Sequence, residues 1–260
     1  MGDVPVDRLD APPPSPAGAR LKAYAVHVFT ASGVVCAFLA TAAVCSGPVD
    51  ERVVFFWLAL QVLIDAADGP MARAWEVKRH VPWIDGRTID DIVDYLTYTY
   101  VPLLLIWRMG WIPDPAAAWV ASAMVASLFG FSNTGAKDEA RGFFLGFPSY
   151  WNIVAVYAGL LYRAAGPWPV AVLIVALTVL TVLPVRFVYP NLAPRPWRMP
   201  TLVGAGVWAI LLAWIVADYA YPPASVVWLS LIYPVYYVAL SVYLDRRTPR
   251  PAREKSGAVE

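Results

Sequence analysis

The sequence predicts an all-α fold, a polytopic membrane helix bundle with about eight transmembrane helices and with both termini in the cytoplasm. Three observations support this prediction. Of the 260 residues, 59% are apolar and only 15% are charged, against roughly 25% charged in an average soluble domain. Mean hydropathy is +0.55, and the apolar residues gather in long runs. The lysines and arginines gather between alternate runs. An ordinary soluble domain, which needs far more polar surface, is therefore excluded.

Eight runs have about the length that a bilayer-spanning helix needs, which is about 20 mostly apolar residues. They cover residues 22–46, 52–74, 88–110, 115–132, 149–165, 167–186, 200–218 and 223–244. Residues 19–245 are therefore predicted to form a single transmembrane domain. The polar segments on either side are predicted to lie in the cytoplasm, with residues 1–18 disordered and residues 246–260 forming a basic tail.

The basic residues predict the orientation of these helices, because cytoplasmic loops retain lysine and arginine. With the N-terminus inside, all of the 20 lysines and arginines except Arg52, Arg108 and Arg163 fall in cytoplasmic segments. The external connections are short, so chemistry with water-soluble partners is expected on the cytoplasmic side. The net charge of +1 gives no basic surface that would favour nucleic acid as a partner.

Carboxylates lie inside two of the apolar runs. A charged side chain within a membrane helix costs free energy, so such residues usually indicate a functional site. Both groups fall toward the cytoplasmic side, because consecutive helices cross the membrane in opposite directions. Helical spacing places most of them on two stripes. The first stripe comprises Asp65, Asp68, Gly69, Ala72 and Arg73, and the second comprises Gly86, Asp90 and Asp94. Asp91 falls off the second stripe, so an interfacial role is expected for it. The glycines and the alanine allow helices or a ligand to approach closely.

Four carboxylates on the stripes carry about four negative charges, which one nearby arginine, Arg73, does not balance in a site of low dielectric constant. Two divalent ions would balance them. Neither stripe contains histidine or cysteine, and an all-oxygen ligand set selects hard ions such as Mg²⁺ or Mn²⁺. Two-metal carboxylate sites commonly bind phosphates. The alternative is that the aspartates only pair with Arg73 or form hydrogen bonds between helices.

The two stripes together read Asp65-x2-Asp68-Gly69-x2-Ala72-Arg73-x12-Gly86-x3-Asp90-x3-Asp94. This pattern resembles the signature of the CDP-alcohol phosphotransferase family, and every fixed position of that signature is filled. The spacer of twelve residues before Gly86 is longer than in most members and resembles the phosphatidylcholine synthase branch. The stretch from Gly146 to Asn152, Gly-Phe-Pro-Ser-Tyr-Trp-Asn, resembles the same branch.

The resemblance implies transfer of a phosphatidyl group from CDP-diacylglycerol to an alcohol, with release of CMP, in the bacterial inner membrane. Asp65, Asp68, Asp90 and Asp94 would bind two divalent ions, Mn²⁺ or Mg²⁺. Asp90 and Asp94 would be the catalytic residues, with Asp94 as the general base. The nucleotide and its phosphates would contact Asp65, Gly69, Ala72, Arg73 and Gly86. The resemblance also implies a homodimer.

For the acceptor alcohol, the branch implies choline, whose quaternary ammonium binds to aromatic faces. Tyr98 continues the second stripe, and Tyr150 and Trp151 open the fifth run at the cytoplasmic side. These three residues are the predicted aromatic cage, and Asn152 is expected to orient the acceptor. Aromatic residues also gather at membrane interfaces without binding a ligand.

Other acceptors with the same chemistry stay open at this stage, namely serine, inositol or its phosphate, and glycerol phosphate. A phosphorylated acceptor would favour a basic cluster, for which the candidates are Lys137, Arg141, Arg186, Arg195 and Arg198. A divalent-cation transporter is the distant alternative. Transporters often contain repeats with a site at the midplane, whereas residues 140–217 contain no aspartate or glutamate.

Overall fold

The computed structural model describes residues 16–133, 135, 137–138 and 141–248, and most of them are helical. The α-helices are α1 (Ala17–Ala31), α2 (Gly33–Cys45), α3 (Glu51–Ala74), α4 (Val77–His80), α5 (Gly86–Asp94), α6 (Val101–Arg108), α7 (Ala116–Ser132), α8 (Trp151–Ala165), α9 (Pro167–Val182), α10 (Arg195–Ala217), α11 (Ala224–Ser230) and α12 (Ile232–Arg247). A π-helix, Tyr95–Tyr100, joins α5 to α6, and a short 3₁₀ helix spans Pro190–Leu192.

Each of the eight predicted apolar runs is helical over most of its length. Within the described ranges, four helical stretches are long and apolar enough to cross a membrane, namely Ala17–Cys45, Glu51–Ala74, Arg195–Ala217 and Ala224–Arg247. The prediction of a helical membrane protein is therefore confirmed. Most of the segments predicted as the disordered N-terminus and the basic tail lie outside the described residues. Helix α1 begins at Ala17 and α12 continues to Arg247.

Large apolar side chains cover the outer surface of α10. Val203, Val207, Ile210 and Trp214 are all exposed, and their spacing places them on one face of the helix. In water such a continuous apolar face would be an aggregation hazard, whereas hydrocarbon lipid tails solvate it. This surface therefore fits a helix that lies against the bilayer.

The first predicted span is divided at Ser32, which separates α1 from α2. The hydroxyl of Ser32 donates a hydrogen bond of 2.6 Å to the carbonyl of Phe29. Directly after the break, Gly33 lies against α3, and a Cβ atom added to it would stand 2.1 Å from Oε1 of Gln61. A larger residue at this position would displace the side chains of Gln61 and Val93.

A small antiparallel sheet departs from the predicted all-α fold. Its strands are β1 (Lys137–Asp138), β2 (Phe143–Leu145) and β3 (Arg186–Val188), in the order β1-β2-β3. The apolar run predicted to continue to residue 186 ends as a helix at Val182, and β3 follows. Strands of two or three residues are too short to show an alternating pattern, so the sequence does not reveal this sheet.

Candidate active site

Three carboxylates meet where α3 and α5 come together. One side-chain oxygen each from Asp65, Asp68 and Asp90 lies within 4.8 Å of the other two. Asp68 is buried, and the other two are half-buried. The structure thus brings together three of the four predicted metal ligands. All are oxygen donors, a set that fits a hard divalent cation.

The start of α5 fixes the position of Asp90. Asp85 caps this helix, accepting hydrogen bonds from the backbone amide of Arg87 at 3.0 Å and from the hydroxyl of Thr88 at 2.8 Å. The hydrogen bond from Thr88, and then that from the amide, hold the pKa of Asp85 below its usual value. A side-chain cap of this kind defines where a helix begins. Gly86 therefore starts the helix, and Asp90 follows about one turn later.

Asp94 and Tyr98 extend the carboxylate cluster on the far side of Asp90. Asp94 does not belong to the group of three close oxygens. Together with Asp65 and Asp90 it lines a small cavity of about 240 Å³. Tyr98 lies in the π-helix rather than in the regular α-helix that the stripe predicts. Its hydroxyl donates a hydrogen bond of 2.8 Å to Oδ2 of Asp65. π-Helical turns often occur at functional sites.

Asp91 lies outside the group of three close carboxylate oxygens. One of its oxygens lies 3.6 Å from Nε of Arg87, one turn earlier on α5. Both residues also line the small cavity. This ion pair reduces the positive potential that Arg87 contributes to the cavity.

A large cavity of about 850 Å³ opens on one side of the carboxylates, between α1, α3 and α5. Most residues predicted to contact the nucleotide line it, together with two of the predicted metal ligands: Asp68, Gly69, Ala72, Arg73, Gly86 and Asp90. Three further basic side chains, Lys78, Arg79 and Arg87, also belong to its lining. The lining also contains the acidic residues Glu76 and Asp85, and Arg79 forms an ion pair of 3.2 Å with Glu76. This side therefore combines space, close backbone approach and four basic side chains.

The two predicted glycines keep this large cavity open. A Cβ atom at Gly69 would lie 3.3 Å from Nη1 of Arg73. At Gly86 it would lie 3.0 Å from Cε1 of His27, whose imidazole ring packs against the glycine. His27 also lines the cavity and is buried. A side chain at Gly86 would thus displace His27 or narrow the space beside it.

A smaller cavity of about 240 Å³ lies on the other side of Asp90. Six aromatic residues line it: Tyr98, Phe131, Phe144, Phe147, Tyr150 and Tyr189. The rings of Tyr98 and Tyr150, two predicted members of the aromatic cage, have centroids 6.1 Å apart. The structure therefore brings both predicted tyrosines to one cavity beside the carboxylates.

Trp151 and Asn152 do not line either cavity. Trp151 is fully buried, and its indole N–H donates a hydrogen bond of 2.8 Å to Oγ of Ser127. Oδ1 of Asn152 accepts a hydrogen bond of 2.9 Å from the backbone amide of Ile153. Helix α8 begins at Trp151, and each helical residue rotates by about 100° from the last. The predicted cage and orienting roles of these two side chains therefore lack support in the structure.

Phe144 and Tyr189 line the small cavity, although the sequence does not single them out. Phe144 belongs to β2, and Tyr189 directly follows β3. These two segments are far apart in the chain and meet only through the sheet. The glycines on either side of β2, Gly142 and Gly146, both have positive φ angles. They are a local sign of turns, but they do not indicate which aromatic rings face the cavity.

Comparisons with known proteins now add to this geometry. No protein-family model matches the chain. The phosphatidylcholine synthase of Pseudomonas aeruginosa is 33% identical over 241 residues, which cover 92% of this chain and 95% of that protein. The phosphatidylcholine synthase of Agrobacterium fabrum is 36% identical over 197 residues, which cover 74% of this chain and 78% of that protein.

The chain belongs to the phosphatidylcholine synthase family. As a member of the phosphatidylcholine synthase family, it is an enzyme, a membrane transferase of phospholipid biosynthesis. A third phosphatidylcholine synthase, from Mesorhizobium japonicum, is 32% identical over 213 residues, which cover 80% of this chain and 77% of that protein. Each of these similarities covers far more residues than the carboxylate motif alone.

Proposed function

We propose that the chain transfers the phosphatidyl group of CDP-diacylglycerol to choline and releases phosphatidylcholine and CMP. One observation carries this proposal: three clustered carboxylates lie between a large cavity whose lining includes four basic side chains and a small cavity with an aromatic lining. The two cavities match the chemistry of the two proposed substrates. The family relatives, which are named for phosphatidylcholine synthesis, support the same assignment.

The carboxylate cluster fits a divalent cation. Asp65, Asp68 and Asp90 would hold it, and Asp94 would complete a site for a second ion. The all-oxygen donor set favours Mn²⁺ or Mg²⁺ over softer metals. When bound, the ions supply positive charge that offsets the diphosphate and stabilises the departing CMP.

The large cavity suits the CDP group. Arg73 and Lys78 bring positive charge to its lining, and phosphate oxygens bind readily to such groups. Gly69 and Gly86 allow the nucleotide to lie close to the helix backbone. The acyl chains of the same substrate would stay in the adjacent bilayer leaflet.

Asp94 would act as the general base. It lines the small cavity, where the acceptor hydroxyl would lie, and a general base must come within hydrogen-bond reach of that hydroxyl. In a direct displacement the acceptor oxygen forms a bond to the phosphorus, and the bond between the phosphorus and the CMP oxygen breaks. Asp94 takes the hydroxyl proton. Tyr98 holds the carboxylate of Asp65 through its hydrogen bond.

The lining of the small cavity favours choline over a phosphorylated acceptor. Aromatic faces and carboxylates attract a quaternary ammonium. Among the described residues, Arg87 is the one basic side chain in this lining, and it faces Asp91 at 3.6 Å. Arg186, a candidate for binding a phosphorylated acceptor, is buried in an ion pair with Asp245. A phosphate group would therefore find little positive charge here.

The proposed topology follows from the apolar runs and the basic residues. Eight spans, a single catalytic domain over residues 19–245 and cytoplasmic termini would place the carboxylates near the cytoplasmic surface of the bacterial inner membrane. Soluble choline and released CMP then have access to the site, while the lipid substrate and product stay among the membrane lipids. The homodimer stays a prediction, which cross-linking in native membranes would test.

One assay tests this function. The purified full-length protein in detergent receives CDP-diacylglycerol, and CMP release is measured with choline, serine, inositol or glycerol 3-phosphate. Each reaction contains Mn²⁺, Mg²⁺ or EDTA. We expect choline to give the highest kcat/KM and EDTA to abolish release. A preference for another alcohol would overturn the choline assignment, and metal binding without any CMP release would favour a transporter.

A further inference from the structure

A stacked aromatic pair forms part of the wall of the small cavity. The rings of Phe144 and Tyr189 have centroids 4.3 Å apart and planes only 18° apart. Both residues line the cavity together with Tyr98 and Tyr150. Two aromatic pairs from separate parts of the chain therefore surround the space beside the carboxylates.

The register of the sheet explains why these rings meet. Phe144 pairs with Phe187, and Phe143 pairs with Val188. Side chains alternate between the two faces along a strand, so Phe144 shares one face with Phe187 and with Tyr189 after it. The backbone amide of Tyr189 donates a hydrogen bond of 2.8 Å to the carbonyl of Gly142. This bond extends the pairing by one residue and holds Tyr189 beside Phe144.

Helix α12 holds the sheet in place. The hydroxyl of Ser241 accepts a hydrogen bond of 3.1 Å from the amide of Val188. The hydroxyl of Tyr237 donates a hydrogen bond of 2.8 Å to the carbonyl of Val188. Buried Arg186 forms an ion pair with Asp245 and lies over the ring of Phe143, 4.9 Å from its centroid. The stacked pair therefore stands on a fixed support, and fixed side chains discriminate ligands better than mobile ones.

We propose that Phe144 and Tyr189 are specificity-determining residues that select a methylated ammonium group in the acceptor. This inference rests on the proposed function and extends it. A trimethylammonium group has no N–H donors, so it loses less hydration free energy than a primary ammonium when aromatic faces replace the water around it. The carboxylates next to the cavity favour any cation, and the aromatic wall adds the preference for methyl groups.

The test compares acceptors that differ only in methylation: choline, N,N-dimethylethanolamine and ethanolamine. The assay measures kcat and KM for CMP release by the full-length protein. In Phe144→Leu and Tyr189→Leu we expect the KM for choline to rise about 3- to 30-fold. We expect the preference for choline over ethanolamine to fall by a similar factor. The KM for CDP-diacylglycerol should change by less than about 2-fold, because that substrate occupies the other cavity.

Phe129→Leu is the control, because Phe129 is exposed on α7 and lines neither cavity. This variant should keep the wild-type ratio of choline to ethanolamine, whatever its yield of folded protein. Tyr189→Phe retains the ring and should keep most of the preference.

If the leucine variants do not fold, fluorinated phenylalanines at position 144 provide the same test with little change in shape. Stepwise fluorination weakens the negative ring face and should raise the KM for choline in steps. Unchanged acceptor ratios in the folded leucine variants, or in the fluorinated series, would overturn the inference. Absence of choline-dependent CMP release by the wild type would instead overturn the proposed function.

Discussion

The two cavities that meet at Asp90 differ in size, charge and origin. The larger, about 850 Å³, lies among α1, α3 and α5 and has four basic side chains in its lining. The smaller, about 240 Å³, has six aromatic side chains and receives residues from α5, the π-helix, the small sheet and the loop before α8. The first is built mostly from neighbouring segments of the chain, and the second from distant ones.

This difference matches the chemistry that we propose for each cavity. A diphosphate needs positive charge and close backbone approach, which the glycines and Arg73 of one short motif and the basic residues of the segment after it would supply. A small organic cation has few directional contacts, so its recognition depends on several aromatic faces that enclose it. The carboxylates stand at the boundary, where the diphosphate and the hydroxyl of the acceptor would meet.

The largest expected effect concerns this boundary. Asp68→Asn removes one of the three clustered carboxylates and keeps its size, so CMP release should fall by about 10³-fold or more, since metal-assisted phosphoryl transfer loses its charge balance. The measurement is kcat/KM at several Mn²⁺ concentrations. Asp218→Asn is the control, because Asp218 lies at the C-terminal end of α10 and lines neither cavity, so its kcat/KM should fall much less. Near-normal turnover of Asp68→Asn would exclude Asp68 as an essential ligand.

The next effect separates the two sides of the boundary. Asp94→Asn should reduce kcat by about 10²-fold or more, because a general base contributes roughly 10²- to 10⁴-fold. Binding of CDP-diacylglycerol should stay within about 3-fold of the wild type, as measured by equilibrium binding of a labelled nucleotide lipid. Loss of binding together with turnover would assign Asp94 to the nucleotide side instead.

A smaller effect is expected on the nucleotide side alone. Gly86→Ala places a methyl group 3.0 Å from Cε1 of His27, so we expect the KM for CDP-diacylglycerol to rise about 10-fold with little change in the KM for choline. Gly206→Ala is the matched control, because nothing lies within 4 Å of a Cβ atom at that position. A larger change in the KM for choline would contradict the division of roles between the cavities.

The smallest expected effect on activity concerns Trp151. Trp151→Phe removes the hydrogen bond to Ser127 and leaves a buried hydroxyl without that partner, which costs about 1–3 kcal/mol of stability. The melting temperature in detergent should fall, while the KM for choline stays within about 2-fold of the wild type. A KM that rises as in Tyr189→Leu would restore Trp151 to the acceptor site.

Much of the site on the nucleotide side could be predicted from the sequence. Asp65, Asp68 and Asp90 come together as the two stripes predict, and Gly69, Ala72 and Gly86 line one cavity. Helical spacing is a local property, so residues three, four, seven and eight apart share a face in any helix. Carboxylates are unfavourable in apolar runs, so their presence identifies the helix face that forms the site.

The acceptor side could be predicted only in part. Tyr98 and Tyr150 reach the cavity, whereas Trp151, adjacent to Tyr150 in the sequence, turns into the core because α8 begins there. Phe144 and Tyr189 meet only through a sheet whose strands are too short to leave a pattern. Their positions depend on pairing between distant strands and on the support from α12. A short stretch of sequence shows neither of these contacts.

The sequence by itself determined the membrane class, the helical segments and the carboxylate stripes, because apolar length and helical periodicity are written in consecutive residues. Only the tertiary structure decided which aromatic rings enclose the second cavity and that a small sheet supplies two of them. The physical reason is that the direction of a side chain depends on where its helix begins and on which residues its strand pairs with. Both depend on contacts with distant parts of the chain. The motif determines where the carboxylates lie, and the packing of the whole chain determines which aromatic side chains line the small cavity.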